Sequence, residues 1–456
     1  MKRFLFTLLL IALYPSMGFC DEIKAAPTPL TPPEVEEYGM FERYYSGWKE
    51  VAEKGVEGKY VGYHVYWSDG LHVDSREKNI KFLFNSFLIA DGGTIGADDT
   101  LNRAFPDLEG SDIFLRRFDF IARMELYDSL EAKIAIDFAN IAEIKDNWIR
   151  FPNTPILEKF TFGHFKEPFS LEELDSIRDR TFLEPALSTR AFTPGRNIGI
   201  SYLDAAADDR KTWSFGTFIN TGSFSDFGDA RSKISEAFGF DVTGRFTMVP
   251  WYKDFGRRLF HLGFNYSHFF ADTNSPEPNL QYRSRPETRI TDIRLVDTGE
   301  LFAQGADYFG AELATILGPL SFQGEYILTL TDIPQARDPY FWGFYLYGSY
   351  FLTGENRNYN VTNGKFSQVR PNDAFHFRKG GTGAWELASR FSFLDLNDEL
   401  VRGGKEWNFT AGINWYPTRK TRFTINYIHA RVKDRLDPLI KKGDADILQA
   451  RFQIVF

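Results

Sequence analysis

The stretch FGHFKEPFSLEELDSIRDRTFLEPALSTRAFTPGRNIGISY, residues 162–202, gathers Lys166, Arg178, Arg180, Arg190 and Arg196. Guanidinium forks match the oxygens of phosphate and carboxylate, so the chemistry on offer is anion binding. In a narrow passage such groups would replace an anion's hydration one step at a time. Glu167, Glu172, Glu173, Asp175, Asp179 and Glu184 share the stretch, and pairing with them would cancel the field. A second group lies in FLRRFDFIARMEL. There Phe118, Phe120, Met124 and Leu126 fall on one face of an extended chain, while Arg117, Asp119, Arg123 and Glu125 fall on the other. Arg116 lands on the apolar face, where only a bulge or a subunit interface would accommodate it. The alternative, that these arginines only pair with acids beside them, stays open.

Other chemistries find no support. The histidines (64, 72, 164, 261, 268, 376 and 429) show no metal-ligand spacing, and Cys20 is the sole cysteine. No G-x-S-x-G, P-loop or dinucleotide fingerprint occurs. No cofactor is expected. A formal net charge of −9 argues against a nucleic-acid partner.

The elements that must hold these arginines read as strands. In EWNFTAGINW, Trp407, Phe409, Ala411, Ile413 and Trp415 oppose Glu406, Asn408, Thr410, Gly412 and Asn414, over the ~9–11 residues of a tilted membrane strand. FDVTGRFTM, WELASRFSF, GPLSFQGEYIL and TRFTINY alternate likewise, placing Arg245, Arg390 and Arg422 on polar faces. So does the terminal ILQARFQIVF, with Arg451 on the polar face and Phe456 last. Lys133 is a further inward candidate. Aromatic residues make up 17% of the chain, yet no later segment approaches eighteen consecutive apolar residues. A closed barrel facing lipid through alternate residues uses all these faces and leaves no sheet edge. The fold class is therefore all-β, a transmembrane antiparallel β-barrel. Residues 162–202 break the alternation: Ser170 and Glu173 form a capping box, and Phe169 with Leu174 a hydrophobic staple. The stretch is an external hairpin or a loop folded inward, and its arginines favour the inward reading.

MKRFLFTLLLIALYPSMGFC carries Lys2 and Arg3 before an apolar run too short to span a bilayer, and reads as a secretory signal over residues 1–20. Its removal makes the chain more negative by two charges. Residues 21–59, Pro-rich and acidic and then weakly helical, read as a short periplasmic extension, and 60–456 as the barrel.

GHFKEPFSLEEL, TFLEPAL, AFTPGRNIGI, GRFTMVPWYKDFGRRLFHLGFNYSH, RPETRITDIRLVDTGE, SYFLTGENRNY, GAWELASRFSFLDLND and GGKEWNFTAGINWYPTRKTRFTINYIHARV, in that order, resemble the phosphate-selective porin family of the porin O and porin P type. The resemblance implies a sixteen-stranded barrel in a Gram-negative outer membrane, a homotrimer, an inward-folded third loop and a basic interior. It implies passive diffusion of small anions, phosphate or polyphosphate above all, with no enzymatic step. It also implies that the barrel-assembly machinery reads the strand ending at Phe456. The anion candidates are then Arg117, Arg123, Arg178, Arg180, Arg190, Arg196, Lys166, Arg116 and Arg245. A general or cation-preferring porin is the main alternative. A lipase-like barrel enzyme and a secreted glycan-binding β protein are more distant ones.

Overall fold

The computed structural model describes residues 63–456 apart from 140–141, 154–157, 236, 238, 273–278, 335–336, 379 and 399. The expected signal and periplasmic extension lie outside the described residues. Sixteen antiparallel strands form the barrel wall. They are β1 (Ile80–Ala97), β2 (Gly110–Leu126), β3 (Leu130–Asp137), β4 (Glu143–Asn153), β5 (Glu158–Lys166), β6 (Arg196–Ala205), β7 (Lys211–Ile219) and β8 (Gly239–Lys253). The second half comprises β9 (Arg258–Ala271), β10 (Gly305–Leu317), β11 (Leu320–Asp332), β12 (Tyr340–Phe351), β13 (Ala384–Asp398), β14 (Val401–Thr418), β15 (Thr421–Arg435) and β16 (Ile440–Val455). Each pairs with its chain neighbour, and β16 closes on β1 with Leu448 opposite Thr94. Closure leaves the wall no free edge, which is what a membrane requires of a sheet.

Alternation decides which way each side chain points. Phe409, Ile413, Phe423, Ile425 and Leu448 are exposed on the outer wall, while Asn408, Asn414, Arg422, Asn426 and Gln449 between them are buried. Arg116 breaks the rule. Arg117 pairs with Ile89 and Leu115 with Ala90, so Arg116 is the extra residue of a bulge and its side chain also turns into the lumen.

Short turns such as Gly318-Pro319 gather at one end, the periplasmic one in outer-membrane barrels, where Phe456 also lies. There a hairpin of Tyr63–Trp67 and Leu71–Ser75 adds to β1 through Leu71 opposite Phe84. It occupies the edge of β1 beyond Phe456, whose backbone bonds Ser86 in both directions. Asp69 ties the hairpin to Arg419 (3.0 Å) and Lys420 (3.7 Å) of the β14–β15 turn.

Candidate functional site

The lumen is filled from three directions. Residues 167–195, the third loop, fold inward, burying Phe169, Leu171, Phe182, Leu187 and Phe192. Ser170 caps a short helix, Leu171–Leu174, by accepting from the Glu173 N–H at 3.2 Å. The reciprocal half of the capping box comes from the wall instead: Asn265 on β9 accepts from the Ser170 N–H at 3.3 Å, and Glu325 on β11 accepts from the next two N–H groups, those of Leu171 (3.0 Å) and Glu172 (2.7 Å). Residues 279–304, between β9 and β10, also turn inward. Glu287 accepts from Thr410 at 2.9 Å, and its carbonyl accepts from Gln449 at 3.1 Å. From the periplasmic side, residues 352–383 send in a small hairpin of Asn358–Asn360 and Lys365–Ser367. Gly364 sits at its tip with φ 59°, where a Cβ would meet Thr247 Oγ1 at 2.9 Å and Thr212 Oγ1 at 3.0 Å. The left-handed turn and the close approach both favour glycine there. The inward third loop is the expected one; the other two segments were not anticipated from sequence.

Many wall arginines bracket these segments. Arg390 donates to Glu172 (3.1 Å) and the Glu184 carbonyl (3.1 Å), and pairs with Glu287 at 2.7 Å, so one side chain pins two inward loops. Arg422 donates to the Thr181 carbonyl at 2.6 Å. Within the periplasmic segment itself, Arg357 lies 3.5 Å over the Phe366 ring and donates to Gln323 of the wall at 2.9 Å. The third loop and the periplasmic hairpin meet where Asp175 accepts from the Phe366 N–H at 2.9 Å.

The candidate anion residues divide by partner. Arg117 is held by Asp119 and by Asp137 (2.9 Å). Arg180 pairs with Glu173 (3.3 Å), Lys166 with Glu173 (3.4 Å) and Arg196 with Asp146 (2.8 Å). Lys133 also pairs with Asp146, and Arg451 makes a two-pronged contact with Asp91 at 2.7 Å. Arg245 is buried against Glu312 (2.7 Å) and the Gly364 carbonyl (2.8 Å), beneath the periplasmic hairpin. Arg116 meets Glu184 at 2.9 Å.

Three others make no ion pair among the described residues. Among the described residues the guanidiniums of Arg190 and Arg123 make no hydrogen bond or ion pair, and that of Arg178 touches only Ser176 Oγ (3.3 Å) and the Phe87 ring. Arg123 lines a cavity of about 370 Å³ at the periplasmic mouth, with Lys81 and the carboxylates of Asp74, Glu125 and Glu131 also in its lining.

Around Arg190 stands a group that sequence reasoning missed: Arg283, Arg285, Arg289 and Arg294 of the inward segment 279–304. Arg285 pairs with Asp292, Arg294 donates to the Asp292 carbonyl (2.7 Å), and Arg289 reaches Glu184 at 3.5 Å. Burial, with repulsion from Arg116 and Arg190, pushes Arg289 down to about 10 despite Glu184. Burial and the neighbouring Arg285, Arg283, Arg190 and Arg289 do the same to Arg294. Mutual depression of this kind marks cations gathered in excess of their counter-charges. The signal was present in RSRPETRITDIR, where arginines recur without strand alternation.

A family model described as phosphate-selective porin O and P matches residues 90–456. An uncharacterised protein of Caulobacter vibrioides is 30% identical over 297 residues, 63% of this chain and 56% of the relative. Porin O of Pseudomonas aeruginosa is 28% identical over 159 residues, 32% of this chain and 35% of the relative. The chain thus matches little more than half of the first relative's length and about a third of the second's. Among solved structures, an anion-selective porin from Comamonas acidovorans has a TM-score of 0.49 at 12% identity, covering 83% of this chain and all of that one. The trimer form of OmpT from Vibrio cholerae has a TM-score of 0.48 at 10% identity, covering 82% and 99%. From the closed sixteen-stranded wall to the match that begins inside its first strand and runs to Phe456, the chain belongs to the phosphate-selective porin O and P family and to the outer membrane of Gram-negative bacteria.

Proposed function

We propose that the chain is a passive channel for small anions, with phosphate or polyphosphate the favoured solutes, acting as a homotrimer. The observation that carries the reading is the gathering of Arg190, Arg285, Arg289 and Arg294 at the inward loops, with Glu184 and Asp292 as their carboxylate partners. An anion entering there would exchange water for guanidinium contacts, and Arg178 and Arg123 would take it on toward the periplasmic mouth. No bond is made or broken, so neither catalytic group nor cofactor is required. Family membership supports the phosphate preference and the trimer, and the terminal Phe456 supports recognition by the assembly machinery.

The competing reading, a general or cation-preferring pore, draws on the pairing of Arg117, Arg180 and Arg196 with acids. Reversal potential across a planar bilayer under a KCl gradient separates the two. Anion preference with chloride current blocked by added phosphate supports the proposal. Cation preference, or current indifferent to phosphate, overturns it.

A further inference from the structure

Lys405, Lys433 and Lys442 stand directly opposite one another across β14, β15 and β16. By alternation all three point outward, in register above the apolar side chains that face the bilayer. Directly below them Arg431 lies 5.0 Å over the Trp407 ring and pairs with Asp444. Like charges placed opposite one another across strands destabilise a sheet unless something of opposite sign lies between them. The protein supplies part of that charge: Asp395 holds Lys405 at 2.8 Å, and Asp444 lies 3.8 Å from Lys442. Lys433 is exposed and makes no hydrogen bond or ion pair among the described residues.

The row lies at the end of the strands remote from Phe456 and the short turns, and so at the level of the outer leaflet's headgroups. We propose that this part of the outer wall binds the phosphorylated headgroup of an outer-leaflet glycolipid, with the lysine row on its phosphates and Trp407 at the boundary with its acyl chains. Basic clusters beside a membrane attract anionic lipid in this way.

The barrel contains its own control. Below the row, Asp446 accepts from Tyr427 OH at 2.6 Å and lies 2.9 Å from His429 Nδ1. On β9 and β10, Asp307 makes the same contacts with Tyr266 (2.7 Å) and His268 (2.7 Å). Above that second cluster Phe270 lies opposite Gly305, where the first has Arg431 opposite Asp444, and the pairing of β9 with β10 ends there without a lysine pair. The Tyr–His–Asp cluster alone is therefore not the proposed site.

The test is retention of diphosphorylated lipid A by the purified full-length protein, read by native mass spectrometry and by titration in nanodiscs. Lys405→Gln, Lys433→Gln and Lys442→Gln combined should weaken binding about tenfold, whereas Asp307→Asn should leave it unchanged. Lipid A stripped of its phosphates should bind the native protein as weakly as diphosphorylated lipid A binds the triple variant. Heat-modifiable migration verifies the fold. Lys433→Gln alone disturbs no hydrogen bond or ion pair among the described residues, and its loss of about threefold carries the test if the triple variant does not assemble. Equal retention by the lysine variants, indifference to the phosphates, or cross-linking of Lys433 to a neighbouring copy of the chain would each overturn the proposal.

Discussion

Arg116 Nε lies 2.9 Å from Glu184 Oε1, joining the bulge of the barrel wall to the inward third loop. The same carboxylate lies 3.5 Å from Arg289 and 3.5 Å from Arg451. Burial opposes its ionisation, but Arg116, Arg289 and Arg451 together hold it well below the usual carboxylate range. One negative charge thus answers three positive ones. Arg451 has Asp91 as a second partner, so the excess falls on Arg116 and Arg289.

Glu184→Gln should therefore strengthen phosphate block. The loop keeps its anchor, because Arg390 donates to the Glu184 carbonyl rather than to its side chain. Releasing Arg116 and Arg289 should lower the half-blocking phosphate concentration about tenfold, roughly 1.4 kcal/mol. Titration of chloride current with phosphate measures it. An unchanged midpoint would mean that these guanidiniums do not meet the permeating ion.

Arg390 acts on structure rather than on the solute. It is almost wholly buried, and Glu172 on the third loop and Glu287 on the segment from β9 to β10 both depend on it. Arg390→Gln strands two buried carboxylates, a loss on the order of 3–5 kcal/mol. The barrel should unfold at lower urea concentration, and single-channel conductance should rise as the loops loosen. A variant with native conductance would show that the remaining brackets suffice.

The wall was legible in the sequence because lipid enforces period-two alternation. Phe240, Val242, Phe391, Phe409 and Ile425 point out as their spacing requires. The bulge at Arg116 was legible only as a condition, since one inserted residue leaves no local pattern and shows itself through the register of β1. The third loop announced itself through Ser170 and the break in alternation. The other inward segments did not, because what draws them in lies far away in sequence. Glu287 finds Thr410 and Arg390, and Phe366 finds Asp175. Which arginines remain unpaired was unreadable for the same reason: Arg117 and Arg190 look alike in the chain, yet one ends between Asp119 and Asp137 and the other beside further arginines.

That difference yields opposite mutational signatures. Arg190→Gln removes an exposed cation that makes no hydrogen bond or ion pair among the described residues, so stability should stay within about 0.5 kcal/mol while the reversal potential moves toward zero selectivity. Arg117→Gln should do the reverse: it leaves Asp119 and Asp137 facing each other and costs on the order of 3 kcal/mol, without removing an available cation. Urea unfolding and reversal potential, measured on both variants, distinguish the roles. If both variants lose selectivity equally, pairing with Asp119 and Asp137 does not silence Arg117.

Asp175 should make the junction between the third loop and the periplasmic hairpin sensitive to pH. Burial pushes its carboxyl up to about 6 from an ordinary 3.8, with Arg357 and the Phe366 N–H opposing. Asp179, Arg357 and Lys365 are the other charged groups acting on it. A carboxyl raised in the folded state stabilises that state fully below its unfolded value, and the contribution is lost as pH climbs through the folded value. The junction should therefore be firmer at about pH 5 than at about pH 7.5, with quieter and smaller single-channel currents on the acid side. Asp175→Asn keeps an oxygen for the Phe366 N–H and should flatten that dependence. Glu167, whose carboxyl burial also raises, sits apart beside Thr243 and Asn197, so Glu167→Gln serves as the control. If the pH response persists in Asp175→Asn and disappears in Glu167→Gln, the switch belongs to the wall contact of the third loop and not to its meeting with the hairpin.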